Sequence, residues 1–325
     1  MKVNSWRDQQ ESFSFLNEKN TAPDPRPPFD ALELSRLAAQ GIYIGTSSWK
    51  YRGWEGMIYR GGYSSEAQFQ RQSLREYTSY LPSVGVDFTF YTWPMPDMMN
   101  YLVEATPENF RLCPKVTKRI TMDKFPQIPS YGKWAGKENP DFLDVELFKE
   151  QFLNPIQTLG SRIGGLFFEF TQLQETQLPK LERFFSEIPR EITYSIEIRS
   201  PELITKKFYS LLRTLKLSPA FNSWSRMPFI RDQWKLYAGS GAMEDNTPLF
   251  VRALLRPGRS YDEAVRFFQP YNSIKDSFPE VRTDIVNIVR EAKKQNRKCF
   301  IFINNRLEGS APHTIGAIMQ ELNAN

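Results

Sequence analysis

Residues 165–199 read GLFFEFTQLQETQLPKLERFFSEIPREITYSIEIR, and this stretch decides the fold. Gly165 to Phe170 is a short run, apolar but for Glu169, too short for a helix, and it reads as a strand. Leu181, Phe184, Phe185 and Ile188 then recur at i, i+3, i+4 and i+7, which lays one apolar stripe along a helix. Tyr194 to Arg199 returns to β-branched and aromatic residues. Strand, helix and strand in 35 residues make a crossover unit, the connection that parallel neighbours require.

The unit repeats in both directions. Gly41 to Thr46, Val84 to Tyr91 and Phe110 to Lys115 read as earlier strands; Pro219 to Asn222 (a weak one), Phe250 to Leu255 and Cys299 to Ile303 read as later ones. Helical stripes separate most of them. They run through Glu66 to Leu81 behind a Ser64-Ser65 cap, Met95 to Val103, Val145 to Leu159, Leu203 to Leu215 after Pro201, Val281 to Ala292, and Ala311 to Leu322. Residues 116–141 and 223–248 show no periodicity and read as irregular connections. Eight such units over 41–325 predict an α/β protein, a TIM-type (β/α)₈ barrel irregular around its sixth strand. A doubly wound open sheet is the competing arrangement.

Residues 1–40 differ. Asn20 to Asp30 (NTAPDPRPPFD) is Pro-rich and reads as an extended linker, because proline lacks an amide donor and restricts its neighbour. Trp6, Phe13 and Phe15 precede it, and Leu32, Leu34 and Leu37 after it predict a short helix. The segment reads as an N-terminal extension to a barrel domain at 41–325. Composition narrows the class. Aromatic residues at 14% exclude a disordered chain, and 17 Gly with 2 Cys exclude collagen-like and disulfide-scaffold chains. Cys113 and Cys299 read as lone reduced thiols. No apolar run approaches the roughly 20 residues of a membrane span, and MKVNSWRDQQ has no signal-peptide core, so the expectation is a cytoplasmic protein without a membrane partner.

Strand alternation then gathers candidates. Side chains at i and i+2 share a face, so Ser195, Glu197 and Arg199 point together, as do Arg111, Cys113 and Lys115. The same count groups Asp87, Thr89 and Tyr91, pairs Glu169 with Phe167, and sets Arg252 with Phe250 and Leu254. The polar members fall at strand C-termini, where barrels carry their chemistry. With Asn304 and Asn305 the set is Asp87, Lys115, Glu169, Glu197, Arg199 and Arg252: three acids and three bases. The bland alternative is a closed ion-pair lattice that fixes strand register and catalyses nothing. The single histidine, His313, sits behind Pro312 at a helix start and supports neither a metal site nor a Ser-His-Asp triad. A carboxylate-only Mg²⁺ site from Asp87, Glu169 and Glu197 is the one cofactor the residues leave open.

These strand ends resemble the YecE-like family, also called domain of unknown function 72. The resemblance rests on Gly45-Thr46-Ser47 with Trp49, Trp54 and Tyr59, on Val86-Asp87-Phe88-Thr89-Phe90-Tyr91, and on Thr106-Pro107 with Phe110 and Lys115. It extends through Glu197-Ile198-Arg199, Val251-Arg252 with Tyr261, Ile303-Asn304-Asn305 and Gly309-Ser310-Ala311. It implies a TIM-type barrel and no established activity. The chain departs from the family pattern by Asp87 in place of Glu, Glu169-Phe170-Thr171 in place of Gln-x-P, Thr121-Met122 where a His is frequent, and Arg252-Ala253-Leu254-Leu255 in place of R-x-H-G. Chemistry that relied on those histidines is lost here.

Three functions compete. The first is an enzyme, of hydrolase or lyase type, acting on an anionic, phosphate-bearing substrate at the barrel mouth. Arg199 and Arg252 would clamp the anion, Glu197 or Glu169 would transfer protons, and Lys115 would offset developing charge. Asn304 and Asn305 would orient the substrate beside Trp49 and Tyr91. The second is a glycosidase-like hydrolase using Glu169 and Glu197 as paired carboxylates, with Trp49, Trp54 and Trp93 stacking on sugars. The third is a non-enzymatic binder of nucleic acid or protein. Residues 115–137 motivate it, with six basic residues against Asp123 alone and with Phe125, Tyr131 and Trp134 interleaved. A second basic cluster, Arg252, Arg256 and Arg259, follows the seventh strand, near where barrels often bind phosphate.

Overall fold

The structure, a computed structural model, describes residues 23–241 and 246–324. Eight parallel strands form a nearly closed barrel with helices outside. They are β1 Ile42–Thr46, β2 Ser83–Val86, β3 Arg111–Pro114, β4 Leu166–Phe170, β5 Tyr194–Ile198, β6 Ser218–Ser223, β7 Leu249–Ala253 and β8 Cys299–Ile303. Their order around the ring is β3-β2-β1-β8-β7-β6-β5-β4. The ring meets itself between β3 and β4 through two bridges, Leu112 with Ile163 and Lys115 with Phe167. Backbone bonds from Gly164 to Leu112 (2.8 Å) and from Val116 to Phe167 (2.7 Å) hold that seam. The TIM-type reading therefore stands over the open sheet.

The alternation rule sorts the core correctly. Cys113, Phe167, Phe250, Phe300 and Phe302 fill the barrel interior, with Ala220 and Tyr43. The opposite faces, such as Ile196 and Ile198, join the larger layer between strands and helices. Both cysteines are buried and free. Gly45 has a packing reason: a Cβ there would lie 2.0 Å from the Ser83 carbonyl oxygen. The Thr46 amide beside it donates to the Tyr77 hydroxyl at 3.0 Å, and Tyr77 donates in turn to the Ser83 carbonyl at 2.9 Å, so part of the Gly-Thr-Ser motif joins β1 to β2.

Several expectations need correcting. The second strand ends at Val86, and Asp87–Phe90 is a 3₁₀ turn, because the Thr89 hydroxyl donates to the Val86 and Lys115 carbonyls and ends the ladder. Asp87, Thr89 and Tyr91 therefore do not share a strand face. The seventh strand ends at Ala253, and Leu254 packs in a separate cluster with Phe268 and Tyr271. Pro201 opens only a short 3₁₀ turn; the helix after it is Lys206–Thr214, capped by Thr205. From Val145 to Leu159 the chain stays helical but changes pitch, with a π turn at Phe148–Leu153 just before Pro155, whose missing amide breaks the regular ladder, and Gly160 then kinks it. The stretch 223–248 contains the helix Ile230–Ala238, and another helix, Tyr261–Phe268, follows β7.

The irregularity at the sixth strand is real. β6 pairs with β5 at only two positions, one of them Pro219. Beyond them the Asn222 side chain donates to the Ile198 carbonyl at 3.0 Å, and Gln233 grips the Asn222 backbone on both sides. The helix Ala31–Ala39, capped by Asp30, buries Leu34 and Leu37 against the barrel layer. Trp6, Phe13 and Phe15 lie outside the described residues.

Candidate functional site

Six charged side chains from five strands or strand ends converge at the C-terminal mouth. Glu169 and Glu197 are register partners on β4 and β5, side by side. Arg252 on β7 places Nη1 2.6 Å from Glu197 Oε2 and 3.3 Å from Glu169 Oε2, and Nη2 3.5 Å from Asp87 Oδ1. Arg199, just past β5, donates from Nε to Glu197 Oε1 at 3.0 Å and from Nη2 to Glu169 Oε2. Its own amide donates to the Phe170 carbonyl at 2.9 Å, which fixes it beside β4. Lys115, just past β3, sets Nζ 2.6 Å from Glu169 Oε2 and 3.8 Å from the centre of the Phe90 ring. Three cations thus meet on one carboxylate oxygen.

Burial grades this lattice. Glu197 is fully buried, Glu169, Arg252 and Lys115 nearly so, and Asp87 is about one-third open. Burial alone would raise the Glu169 pKa, but Arg199, Lys115 and Arg252 outweigh it and hold the carboxyl far below its ordinary range. Burial would likewise favour loss of the Arg252 proton, and Glu197, Asp87 and Glu169 overturn that and raise its pKa. Lys115 goes the other way: desolvation lowers its pKa despite Glu169. Arg199 and Arg252 each pair with both glutamates. A paired-carboxylate hydrolase needs one protonated acid, and ion pairs on both glutamates disfavour one. The described residues contain no group of three or more acids, histidines or cysteines able to hold a metal, and the three acids are interleaved with cations, so the magnesium option has no ligand set.

The other candidates divide. Asn305 Oδ1 accepts from the Ala311 amide at 2.7 Å and from Trp54 Nε1 at 3.2 Å, holding the start of the last helix. Asn304 Oδ1 accepts from the Arg306 amide at 3.0 Å and shapes the turn after β8. Trp49 and Trp54 are buried in the layer outside the strands, out of reach of a ligand. Tyr91 is 67% exposed beside Lys118, and burial together with the nearby Asp87 and Glu169 raises its pKa. Arg256 and Arg259 separate from Arg252 and both pair with Asp276, at 3.0 and 2.6 Å. His313 Nδ1 lies 2.9 Å from the Ser310 hydroxyl at the helix start.

A cavity of about 580 Å³ opens over the ends of β4, β5 and β6, and Arg199 forms part of its wall. Gln172, Gln174, Ser200, Trp224, Ser225 and Arg226 line it as well. The Trp224 ring lies 3.9 Å from the Arg199 guanidinium carbon, a cation–π contact that fixes the guanidinium plane. The sequence missed Trp224 and Arg226 because they sit in an aperiodic loop. The one available signal was the unusual Trp and Arg content of 223–234.

The family profile described as "Protein of unknown function DUF72" matches residues 43–325. The UPF0759 protein YecE of Escherichia coli (strain K12) is 28% identical over 166 residues, 51% of each chain, and the protein of that name from Escherichia coli O157:H7 matches equally. The alignment thus spans about half the length of these curated relatives. A DUF72 family protein from Enterococcus faecalis V583 superposes with a TM-score of 0.61 at 17% identity, covering 87% of this chain and 95% of that one. One from Thermotoga maritima MSB8 gives 0.57 at 17% identity, covering 87% and 99%. At these identities the likeness concerns the fold.

Proposed function

The chain belongs to the DUF72 family of proteins of unknown function, and on that premise we propose that it binds a small anionic, phosphate-bearing ligand over β4–β6 and acts on it at the barrel mouth. The observation that carries the reading is Arg199. Two of its nitrogens are held by Glu197 and Glu169, its face is held by Trp224, and its Nη1 makes no hydrogen bond among the described residues. A guanidinium fixed on three sides and bordering a polar cavity is a preorganised anion donor. Arg226 adds a second cation to the wall against Glu202 alone.

In this reading Glu169 and Glu197 are positioning residues, fixed anions that aim Arg199. Lys115 is the proton-transfer group, because desolvation lowers its pKa and Glu169 orients its Nζ. Calorimetric titration with inorganic phosphate, phosphorylated and carboxylated small molecules, and neutral sugars tests it. Binding of phosphorylated compounds is expected, weakened about 10- to 150-fold by Arg226→Ala, the worth of one hydrogen bond to a charged group. Arg226 is exposed and outside the lattice, so the fold survives that change. Binding of no anion, or equal binding by wild type and Arg226→Ala, refutes the reading.

A further inference from the structure

The irregular connection after β3 folds into a built platform. Phe125 and Lys137 join through their backbones at 2.9 Å, Gly136 returns to Phe125 at 3.0 Å, and the Asn139 side chain ties down the Arg119 and Met122 carbonyls. Between this loop and the turn after β2 lies a second cavity of about 360 Å³. Five rings line it, Tyr91, Trp93, Phe125, Tyr131 and Trp134, together with Lys118 and Arg119 and no carboxylate. Phe125 is the buried base, with its ring centre 5.6 Å from that of Tyr131 and 6.1 Å from that of Trp134. Tyr91 and Trp134 are 67% and 45% exposed, so large flat faces meet solvent. Lys118 Nζ stands 4.5 Å from the Tyr131 ring centre and 5.6 Å from that of Tyr91.

Charge decides what fits. Arg119 is neutralised by Asp141. Lys118, Lys124, Lys133 and Lys137 have no carboxylate partner among the described residues; Lys118 lines the cavity and Lys133 Nζ stands 5.5 Å from the Trp134 ring centre. Planar apolar faces beside more than one unneutralised lysine match a ligand with flat rings and a repeating negative charge. An acidic peptide supplies the charge without the rings. A mononucleotide engages one lysine and leaves the others idle. We propose that this groove is a stacking site for single-stranded nucleic acid, with bases against Trp134, Tyr131 and Tyr91 and phosphates on Lys118 and Lys133. This goes beyond the small-anion reading and uses different residues.

Fluorescence anisotropy with labelled oligothymidylate and oligouridylate over a salt series tests it. Wild-type protein is expected to bind at low salt and weaken steeply as salt rises. Trp134→Ala, a change at an exposed ring, is expected to weaken binding by about 5- to 150-fold, the worth of one stacked base. Lys133→Gln should weaken all sequences alike and flatten the salt slope by about 0.7. Arg226→Ala should leave oligonucleotide affinity unchanged, so failure of the small-anion reading would not be mistaken for failure here. Absence of binding at low salt overturns the proposal. So does equal affinity for duplex DNA or heparin with no effect of Trp134→Ala, because a polyanion site without stacking gives that result.

Discussion

Arg252→Met removes the charge at the centre of the mouth while keeping most of the side-chain stem. Arg252 contacts Glu197 at 2.6 Å, Glu169 at 3.3 Å and Asp87 at 3.5 Å, and it is 3% exposed. Its loss leaves three acids against two bases, with Glu197 fully buried and held only by Arg199. Removing one partner of a buried pair costs about 3–5 kcal/mol. With about 2.1 cal/mol/K of unfolding entropy per residue, a chain of this length shifts by roughly 1.5 °C per kcal/mol. The expected fall in melting temperature is therefore about 4–7 °C by calorimetry. Arg183→Met is the control: its pair with Glu187 is exposed, and such pairs are worth at most about 1 kcal/mol. Adding Glu197→Leu to Arg252→Met removes the stranded charge, so the double variant should lose much less than the sum of the two single losses. A loss under about 1 kcal/mol for Arg252→Met, or strict additivity in the double variant, would refute the view of the mouth as a coupled lattice.

Two further outcomes follow from the same structure. The Glu169 carboxyl is pulled to about 2 from an ordinary 4.5, since its cations outweigh the opposing effect of burial, so its contribution is complete above the ordinary value and is lost as pH falls towards 2. Urea midpoints measured from neutral pH down to about pH 3 should drop with acid, and Glu169→Gln, though less stable at neutral pH, should show a shallower acid slope; an unchanged slope contradicts the assignment. Gly45→Ala should yield little folded protein, because its Cβ would overlap the Ser83 backbone at 2.0 Å between β1 and β2, and circular dichroism of a normally folded variant would disprove that close approach.

While two strand ends, at Val86 and Ala253, came from the structure, the sequence by itself determined the crossover units and most of the strand faces. These follow from periods of two and 3.6 residues, set by local backbone geometry, so Phe167 and Phe250 could be placed inside the barrel and Glu169, Glu197 and Arg252 at its mouth without coordinates. Only the tertiary structure decided which charges pair. Arg252 and Glu169 are 83 positions apart, and whether they meet depends on the register of every strand between them. Closure of the ring also turned Asp87 off its strand through the Thr89 hydroxyl, brought Trp224 from an aperiodic loop onto Arg199, and tied Asn305 to the start of the last helix. Those are contacts between distant segments, and local periodicity carries no record of them.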